Sequence, residues 1–173
     1  IYRIYLIPDK GLKTAGIYIQ DITALKKMEQ TLVKNSLYDL VTNLPNRSLF
    51  YDYVKLELIY QKKGHKVFIM IVKMIDYVSL LNHHGIDFCN KVVQFTQLQL
   101  KRFLSDEAVL ARLGEKEFGM MEPIYSDSVQ GALLCKKIVS YFDNPIKISN
   151  KEIVSRVAIG IAHFPEDGNT PNA

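Results

Sequence analysis

Residues 109–121 read VLARLGEKEFGMM, a stretch that predicts a β-hairpin and, with it, the type of fold. Two largely apolar runs, 109–113 and 118–121, flank the short turn Gly114-Glu115-Lys116-Glu117. Strands joined by so short a turn must pair antiparallel. The sheet that contains them is therefore at least partly antiparallel.

The segments before this hairpin alternate between helix and strand. After Pro45 apolar residues recur at helical spacing, and residues 67–72 form a continuous apolar strand. Asp76 and Asp87 are placed to cap a short and a longer helix, with Gly85 ending the first. The residues predicted to face the core are Leu49, Tyr53, Leu56 and Tyr60 in the first helix and Val92, Phe95, Leu98 and Phe103 in the last.

After the hairpin the pattern predicts one more helix and two more strands. The helix carries Leu134, Ile138 and Tyr141 on one face, and the strands lie around residues 146–148 and 154–162. From residue 67 onward the order is strand, two helices, two strands, helix and two strands. This order predicts an α+β fold, with a mainly antiparallel central sheet flanked by helices.

The first 36 residues have a different organisation. Residues 1–7 and 16–19 alternate β-branched and aromatic residues around the turn residues 8–11, which predicts an N-terminal β-hairpin. Asp21 is a plausible N-cap for a linker helix over residues 22–35. Its narrow apolar stripe, formed by Leu25, Met28 and Leu32, is typical of a two-helix seam.

Composition excludes several classes of function. The formal net charge of +4 is spread along the chain without a basic run, which argues against nucleic acid as a partner. Cys89 and Cys135 lack the spacing of a metal knuckle or redox pair, so we interpret both as small core residues in a reducing compartment. No apolar stretch approaches the roughly 20 residues that span a bilayer. We expect a cytoplasmic fragment without membrane contact of its own, compatible with a membrane-attached parent protein.

Three landmarks carry a family resemblance. Residues 38–47, YDLVTNLPNR, are similar to the motif Tyr-Asp-x-Leu-Thr-Gly-Leu-x-Asn-Arg, and residues 111–118, ARLGEKEF, resemble Ala-Arg-x-Gly-Gly-Asp/Glu-Glu-Phe. Residues 159–162, followed by 164–168, look like a late strand and turn of the same family. The chain thus resembles GGDEF domains over residues 37–173, and the resemblance implies the palm-like fold of nucleotide cyclases and polymerases. We expect residues 37–173 to lack the last helix of the family, which carries basic residues for triphosphate contacts in diguanylate cyclases, either because these residues were lost or because the sequence stops before them.

The N-terminal part resembles a sensor module. Residues 1–20 are similar to the C-terminal strands of a PAS/PAC domain, and residues 21–36 resemble the signalling helix that joins such a domain to an effector. In the family this helix usually pairs with its copy, which implies a homodimer through the linker helix. Degenerate GGDEF domains often precede an EAL phosphodiesterase domain, so the resemblance also suggests a downstream EAL partner.

The resemblance identifies two metal-ligand positions, and both hold lysine. In the family one ligand is the first Asp of an Asp-x-Asp-x-Phe motif, which aligns with Lys73, and the other is the third residue of the turn, which aligns with Lys116. A charged ammonium has no lone pair and repels a divalent cation. We therefore expect no metal and no other cofactor, with Mg²⁺ relevant only if the domain is active.

Other positions that the family uses are altered as well. The two guanine-reading positions align with Leu81 and Asn90, and the second turn glycine is replaced by Glu115. The inhibitory product site, Arg-x-x-Asp, aligns with Ser105 and Ala108 and is absent. The turn Gly114, Glu115, Lys116, Glu117 and Phe118 is thus a degenerate signature.

Two interpretations of the remaining charges stay open. Asp76 and Glu117 are either displaced metal ligands or, as we favour, a helix N-cap and an acid that remains within the turn. Lys73 and Lys116 either hold the phosphates of a nucleotide bound without turnover or, as we favour, pair with Glu115, Glu117 or Asp76. We assign no chemistry to His83 and His84, which precede Gly85.

These residues favour a regulatory domain that transmits a PAS signal within a cyclic di-GMP signalling protein. The enzyme alternative is an active diguanylate cyclase, which joins two GTP molecules into cyclic di-GMP. A third hypothesis is a module whose GTP binding tunes a neighbouring domain. Formation of cyclic di-GMP and binding of GTP discriminate the three.

Overall fold

The computed structural model describes residues 1–8, 15–60, 66–124, 129–164 and 166–168. The chain divides into two compact units, Ile1–Leu37 and Tyr38–Ala173. In the described part of the chain, every helix is too short or too polar to cross a membrane.

The first unit is a hairpin followed by a helix, as predicted. Strands β1 (Tyr2–Pro8) and β2 (Ala15–Asp21) pair antiparallel, and helix α1 spans Thr23–Leu37. The Asp21 carboxylate accepts the Thr23 N–H at 2.8 Å and so satisfies one backbone amide at the start of α1, although the N-cap itself is Ile22, whose carbonyl accepts the Lys26 N–H. Of the predicted turn 8–11, residues 9–11 lie outside the described residues. The α1 stripe formed by Leu25, Met28 and Leu32 is exposed.

The second unit is built on one antiparallel sheet, as the predicted fold class requires. Its elements are α2 (Arg47–Tyr60), β3 (Lys66–Met74), α3 (Tyr77–Arg102), β4 (Val109–Gly114), β5 (Glu117–Ile124), α4 (Val129–Phe142), β6 (Ile146–Ile148), β7 (Lys151–Ile153) and β8 (Val157–Phe164). The sheet order is β4-β5-β3-β8, and every neighbouring pair is antiparallel. Strands β6 and β7 form a separate hairpin.

Strand β3 separates two apolar layers because its side chains alternate between the faces of the sheet. Phe68, Met70, Val72 and Met74 belong to the main core, which includes residues of α3 and α4. On the other face, Val67 belongs to a smaller cluster with Phe50 and Val54 of α2. The central strand is thus covered on both sides, as its continuous apolar sequence predicts.

The structure corrects three details of the predicted helices and strands. Among the described side chains of α2, Phe50 and Val54 are buried, whereas Leu56 is 49% exposed, so the predicted apolar face is displaced by one position; the side chain of Tyr60 lies outside the described ones. Leu98, predicted to face the core, is 60% exposed. The strand predicted over 154–162 begins at Val157, because residues 151–153 turn back as β7 through Ser149 and Asn150, which have positive φ.

The predicted break at Gly85 is confirmed. Residues 77–102 are one helical segment, but Gly85 has φ 75° and ψ 175°, which interrupts the regular helix. This backbone conformation is readily available only to glycine. Cys89 is buried and Cys135 is half-buried, both are free thiols, and burial raises the pKa of each. Both therefore serve as core residues, as predicted.

Candidate functional site

The end of β3 and the β4–β5 turn lie side by side. Lys73 is paired in register with Glu117, and the N–H of Met74 donates to the carbonyl of Lys116 at 2.8 Å. Gly114 pairs with Glu117, so Glu115 and Lys116 form the tip of the hairpin. The fold thus brings Lys73 and Lys116, the two lysines that the resemblance aligns with metal-ligand positions, to the same end of the sheet.

The loop before α2 is fixed by its own polar residues. The Asp39 carboxylate accepts the Thr42 N–H at 2.8 Å and the Thr42 hydroxyl at 2.6 Å. Asn43 has φ 56°, and it stands where the motif Tyr-Asp-x-Leu-Thr-Gly usually has its glycine. Asn46 then caps α2, since its side-chain oxygen accepts the Leu49 N–H at 3.1 Å.

Arg112 joins this loop to the turn. Its guanidinium donates from Nε to the Gly114 carbonyl at 3.0 Å and from Nη2 to the Glu115 carbonyl at 2.6 Å. Nη1 lies 3.8 Å from the Asp39 carboxylate. The side chain is only 6% exposed, and its burial lowers the pKa of the guanidinium, an effect that Asp39 opposes. A buried cation therefore holds the backbone of the signature turn.

Arg47 contacts the same turn from the start of α2. Its Nε donates to the Leu113 carbonyl at 2.9 Å, and its Nη2 forms an ion pair of 3.3 Å with Glu117. The Glu117 carboxylate is consequently engaged by an arginine. Arg112 and Arg47 together hold the carbonyls of Leu113, Gly114 and Glu115, and Arg47 also contacts the Glu117 carboxylate on the other side of the tip.

Asp76 does not cap α3 with its side chain, so that prediction is wrong. It occupies the position before the helix, but no capping bond forms. Its carboxylate instead accepts three bonds from Arg156, from the backbone N–H at 2.9 Å, Nε at 3.1 Å and Nη2 at 2.7 Å. These charge-assisted bonds replace the weaker capping bond, and they hold the pKa of Asp76 below its usual value.

The favoured pairing of the two lysines is also wrong. Asp76 pairs with Arg156 and Glu117 pairs with Arg47. In the parts of the chain that the structure describes, neither Lys73 nor Lys116 forms an ion pair within 4.0 Å. The planar fork of Arg156 binds Asp76 with two side-chain hydrogen bonds, whereas Glu117 has a single contact of 3.3 Å with Arg47 Nη2.

The residues present do not fit a divalent cation. Mg²⁺ requires oxygen ligands, chiefly carboxylates. Asp76 and Glu117, the two acids considered as displaced ligands, are held by arginines. The described residues contain no cluster of three or more His, Cys, Asp or Glu side chains that could hold a metal.

A cleft opens beside the turn, and we call it the turn cleft. Its volume is about 540 Å³. It is lined by Asp39, Val41, Asn46, Arg47, Ser48, Tyr77, Ile86, Asn90, Arg112, Leu113, Gly114 and Glu115. Asn90, one predicted base-reading position, thus lies in the turn cleft. Leu81, the other one, is partly buried and packs against the core instead.

The remaining predicted positions lie elsewhere. Ser105 and Ala108 line a separate cleft of about 410 Å³, where the Ser105 N–H donates to the Glu122 carboxylate at 3.2 Å. His83 contacts the Ser79 carbonyl at 2.7 Å, and His84 contacts the Lys151 amine at 3.3 Å. Both histidines are therefore accounted for by local contacts.

Sequence reasoning missed Arg47 and Arg156 as partners of the acids. Arg47 is part of the motif in residues 38–47, so its position could have suggested a contact with the turn. Arg156 lies 80 residues from Asp76 and belongs to no motif. Only the pairing of β3 with β8 brings the two together.

Comparison with known proteins establishes the family. The family described as diguanylate cyclase, GGDEF domain, matches residues 36–173. The chain therefore belongs to the GGDEF family, and it is a member of a family of cyclic di-GMP signalling proteins.

The relatives are longer proteins. The chain is 28% identical over 174 residues to the signaling protein YkoW of Bacillus subtilis, which covers 96% of this chain and 21% of the relative. It is 26% identical to the bifunctional diguanylate cyclase/cyclic di-GMP phosphodiesterase MucR of Pseudomonas aeruginosa, over 86% of this chain and 22% of that protein. The chain thus spans about a fifth of the length of these relatives.

Solved structures support the fold. The GGDEF domain of PA1120 (TpbB or YfiN) from Pseudomonas aeruginosa superposes with a TM-score of 0.73 at 23% identity, over 79% of this chain and 80% of that one. The coiled coil and GGDEF domain of DgcB from Caulobacter crescentus, in complex with c-di-GMP, gives a TM-score of 0.68 at 16% identity, over 86% and 80%. At these identities the similarity shows the fold alone.

Proposed function

We propose that this GGDEF domain does not synthesise cyclic di-GMP and acts as a regulatory domain that transmits a signal. The observation that carries the proposal is the charge at the turn. Lysines stand at both metal-ligand positions that the resemblance assigns, and the adjacent acids Asp76 and Glu117 are held by arginines. Two-metal chemistry needs the opposite arrangement, with free carboxylates that bind cations.

The substrate side of the site supports the same conclusion. Leu81 cannot donate or accept a hydrogen bond to a base, and Glu115 adds a negative charge near an expected triphosphate. Ser105 and Ala108 cannot form the inhibitory arginine–aspartate site. The signature is therefore degenerate in metal binding, base recognition and product inhibition.

The role in transmission rests on the first unit. Residues 1–20 are proposed as the end of a PAS/PAC domain and residues 21–36 as the signalling helix, followed by the degenerate GGDEF domain. Exposed Leu25, Met28 and Leu32 on α1 favour a homodimer through this helix. Met28→Glu is then expected to abolish self-association, measured by sedimentation, whereas Lys27→Glu on the same helix leaves it unchanged.

The downstream partner is proposed to be an EAL phosphodiesterase domain. The relative PdeR of Escherichia coli is described as a cyclic di-GMP phosphodiesterase, and MucR combines both activities. Free thiols at Cys89 and Cys135 favour a cytoplasmic location, and the spread of charge argues against nucleic acid as a partner. No cofactor is needed for this role.

Metal binding tests the proposal. Titration of the purified protein with Mn²⁺, followed by the electron paramagnetic resonance of the free ion, is expected to show no saturable site. Lys73→Asp/Lys116→Asp restores two carboxylates and is expected to create one. The control Lys136→Asp/Lys137→Asp adds the same charge on α4. The proposal would be contradicted if the unaltered protein and the control both bound Mn²⁺ saturably and the Lys73→Asp/Lys116→Asp variant bound it no more tightly.

A further inference from the structure

The sulfur-containing side chains differ sharply in their exposure to solvent. The structure describes all five methionines and both cysteines of the chain. Met28, on helix α1, is 65% exposed, whereas Met70, Met74, Met120 and Met121 are at most 7% exposed. An oxidant in solution reacts with a thioether only where it can reach the sulfur atom. Met28 is therefore the methionine that such an oxidant attacks first.

The two thiols compete poorly with Met28 for an oxidant. Cys89 is buried and Cys135 is half-buried. Burial raises the pKa of each thiol, so both stay protonated at neutral pH. The thiolate is the form of cysteine that reacts with peroxides, whereas a thioether carries no proton to lose. Met28 thus combines access to solvent with a sulfur atom that is reactive at neutral pH.

Met28 is also the central residue of the apolar stripe on α1. Leu25 precedes it by three residues and Leu32 follows it by four, which is the spacing of a two-helix seam. As the middle residue, Met28 meets its own copy whether two paired helices run parallel or antiparallel. Three apolar residues per helix form a short seam, so the pair exchanges with monomers in which the thioether is accessible.

We propose that Met28 is a reversible oxidation site that controls the pairing of α1 with its copy. A peroxide transfers one oxygen atom to the thioether. The S–O bond forms and the O–O bond breaks, so sulfur is oxidised, and the second oxygen of hydrogen peroxide leaves as water with both protons. The sulfoxide is polar, and a dimer would carry one from each helix into an apolar seam, which opposes pairing. This inference deepens the proposed function and rests on it, since it names a signal that acts on the proposed homodimer.

Mass spectrometry after limited treatment with hydrogen peroxide tests the selectivity. The peptide that contains Met28 is expected to gain one oxygen atom at least about tenfold faster than the peptides that contain the four buried methionines. Circular dichroism confirms that the protein stays folded during the treatment. Equal rates at Met28 and at the buried methionines of the folded protein would overturn the assignment of Met28 as the oxidation site.

Sedimentation of the same samples measures the effect on pairing. The dissociation constant of the homodimer is expected to rise at least about tenfold on oxidation, and methionine sulfoxide reductases are expected to restore it. Met28→Leu keeps the seam apolar without sulfur, so peroxide is expected to leave its dissociation constant unchanged. Met121→Leu, on β5, is the matched control, because it also removes one methionine but keeps the sensitivity of pairing to peroxide. Met28→Gln introduces a polar group of similar size, and it is expected to weaken pairing without any peroxide.

The outcomes separate this inference from the proposed function. A homodimer that survives complete oxidation of Met28, or a loss of pairing on oxidation that persists in Met28→Leu, would overturn the oxidation site and leave the proposed homodimer intact. A reduced protein that stays monomeric up to about 0.5 mM would overturn the homodimer and the oxidation site together. Production of cyclic di-GMP from GTP would overturn the proposal of an inactive domain, whatever the oxidation state of Met28.

Discussion

Replacing Arg112 with methionine is expected to destabilise the second unit by about 2–4 kcal/mol. The guanidinium donates two hydrogen bonds to turn carbonyls, at 3.0 and 2.6 Å, and it is 6% exposed. Hydrogen bonds to charged groups contribute about 1.5–3 kcal/mol each. Methionine keeps much of the packing volume and removes the cost of burying the charge, so the net loss is smaller than the sum.

Urea unfolding followed by circular dichroism measures the loss, with Arg102→Met as the control. Arg102 is exposed near the end of α3, and its replacement is expected to change the unfolding free energy by less than about 0.5 kcal/mol. Arg112→Lys keeps the charge but loses the planar guanidinium, so its loss of unfolding free energy is expected to lie between those of Arg112→Met and Arg102→Met. A loss below about 0.5 kcal/mol for Arg112→Met would refute the conclusion that this side chain holds the turn.

Two further perturbations test the packing and the charge pairs. Gly131→Ala is expected to reduce the unfolding free energy by about 1–2 kcal/mol, because the new Cβ would lie 2.7 Å from the Phe68 ring. Gly160→Ala, whose Cβ would have nothing within 4 Å, is expected to be nearly neutral. Equal melting temperatures for the two variants would contradict the close approach of α4 to Phe68. The pKa of Asp76 is lowered in the folded state by Arg156, so this pair stabilises the fold above the unfolded pKa of 3.8 and the contribution is lost as pH falls through the folded value. Arg156→Gln should therefore reduce the difference between the unfolding free energies at pH 6 and pH 3. An unchanged dependence of the unfolding free energy on pH would show that the Asp76–Arg156 pair does not contribute to that difference.

Much of the second unit could be predicted from the sequence because its signals are local. The VLARLGEKEFGMM stretch contains β4, the turn and the first five residues of β5 within 13 residues, and residues 67–72 of β3 are a continuous apolar run. The break at Gly85 follows from the properties of one residue type. The α+β order and the antiparallel sheet were then the simplest arrangement of these elements.

The details that failed depend on contacts between distant residues. The α2 sequence is apolar on more than one side, so periodicity alone could not distinguish the face with Leu56 from the face with Phe50 and Val54. The capping role of Asp76 failed because Arg156, far along the chain, offers a stronger partner. No local sequence pattern could show that Arg156 and the first amides of α3 compete for the Asp76 carboxylate.

The candidate site shows the same division. Sequence motifs could align Lys73 and Lys116 with the expected metal-ligand positions, and the register of β3 with β5 brings both residues to the same end of the sheet. The ion-pair partners of Asp76 and Glu117 could not be assigned, because the sequence offers several lysines and arginines as candidate partners for each carboxylate. The resulting arginine pairs strengthen the argument against metal binding, since they engage Asp76 and Glu117, the two acids considered as displaced ligands.

Synthesis of cyclic di-GMP is the most direct test of the central claim. The protein is incubated with GTP and Mg²⁺, and the products are separated by chromatography, with Lys73→Asp/Lys116→Asp in parallel and an active diguanylate cyclase as the positive control. We predict no cyclic di-GMP from the unaltered protein. Clear formation of cyclic di-GMP by the unaltered protein would contradict the account, because catalysis would then proceed with lysines at the two positions proposed for the metal ligands, Lys73 and Lys116.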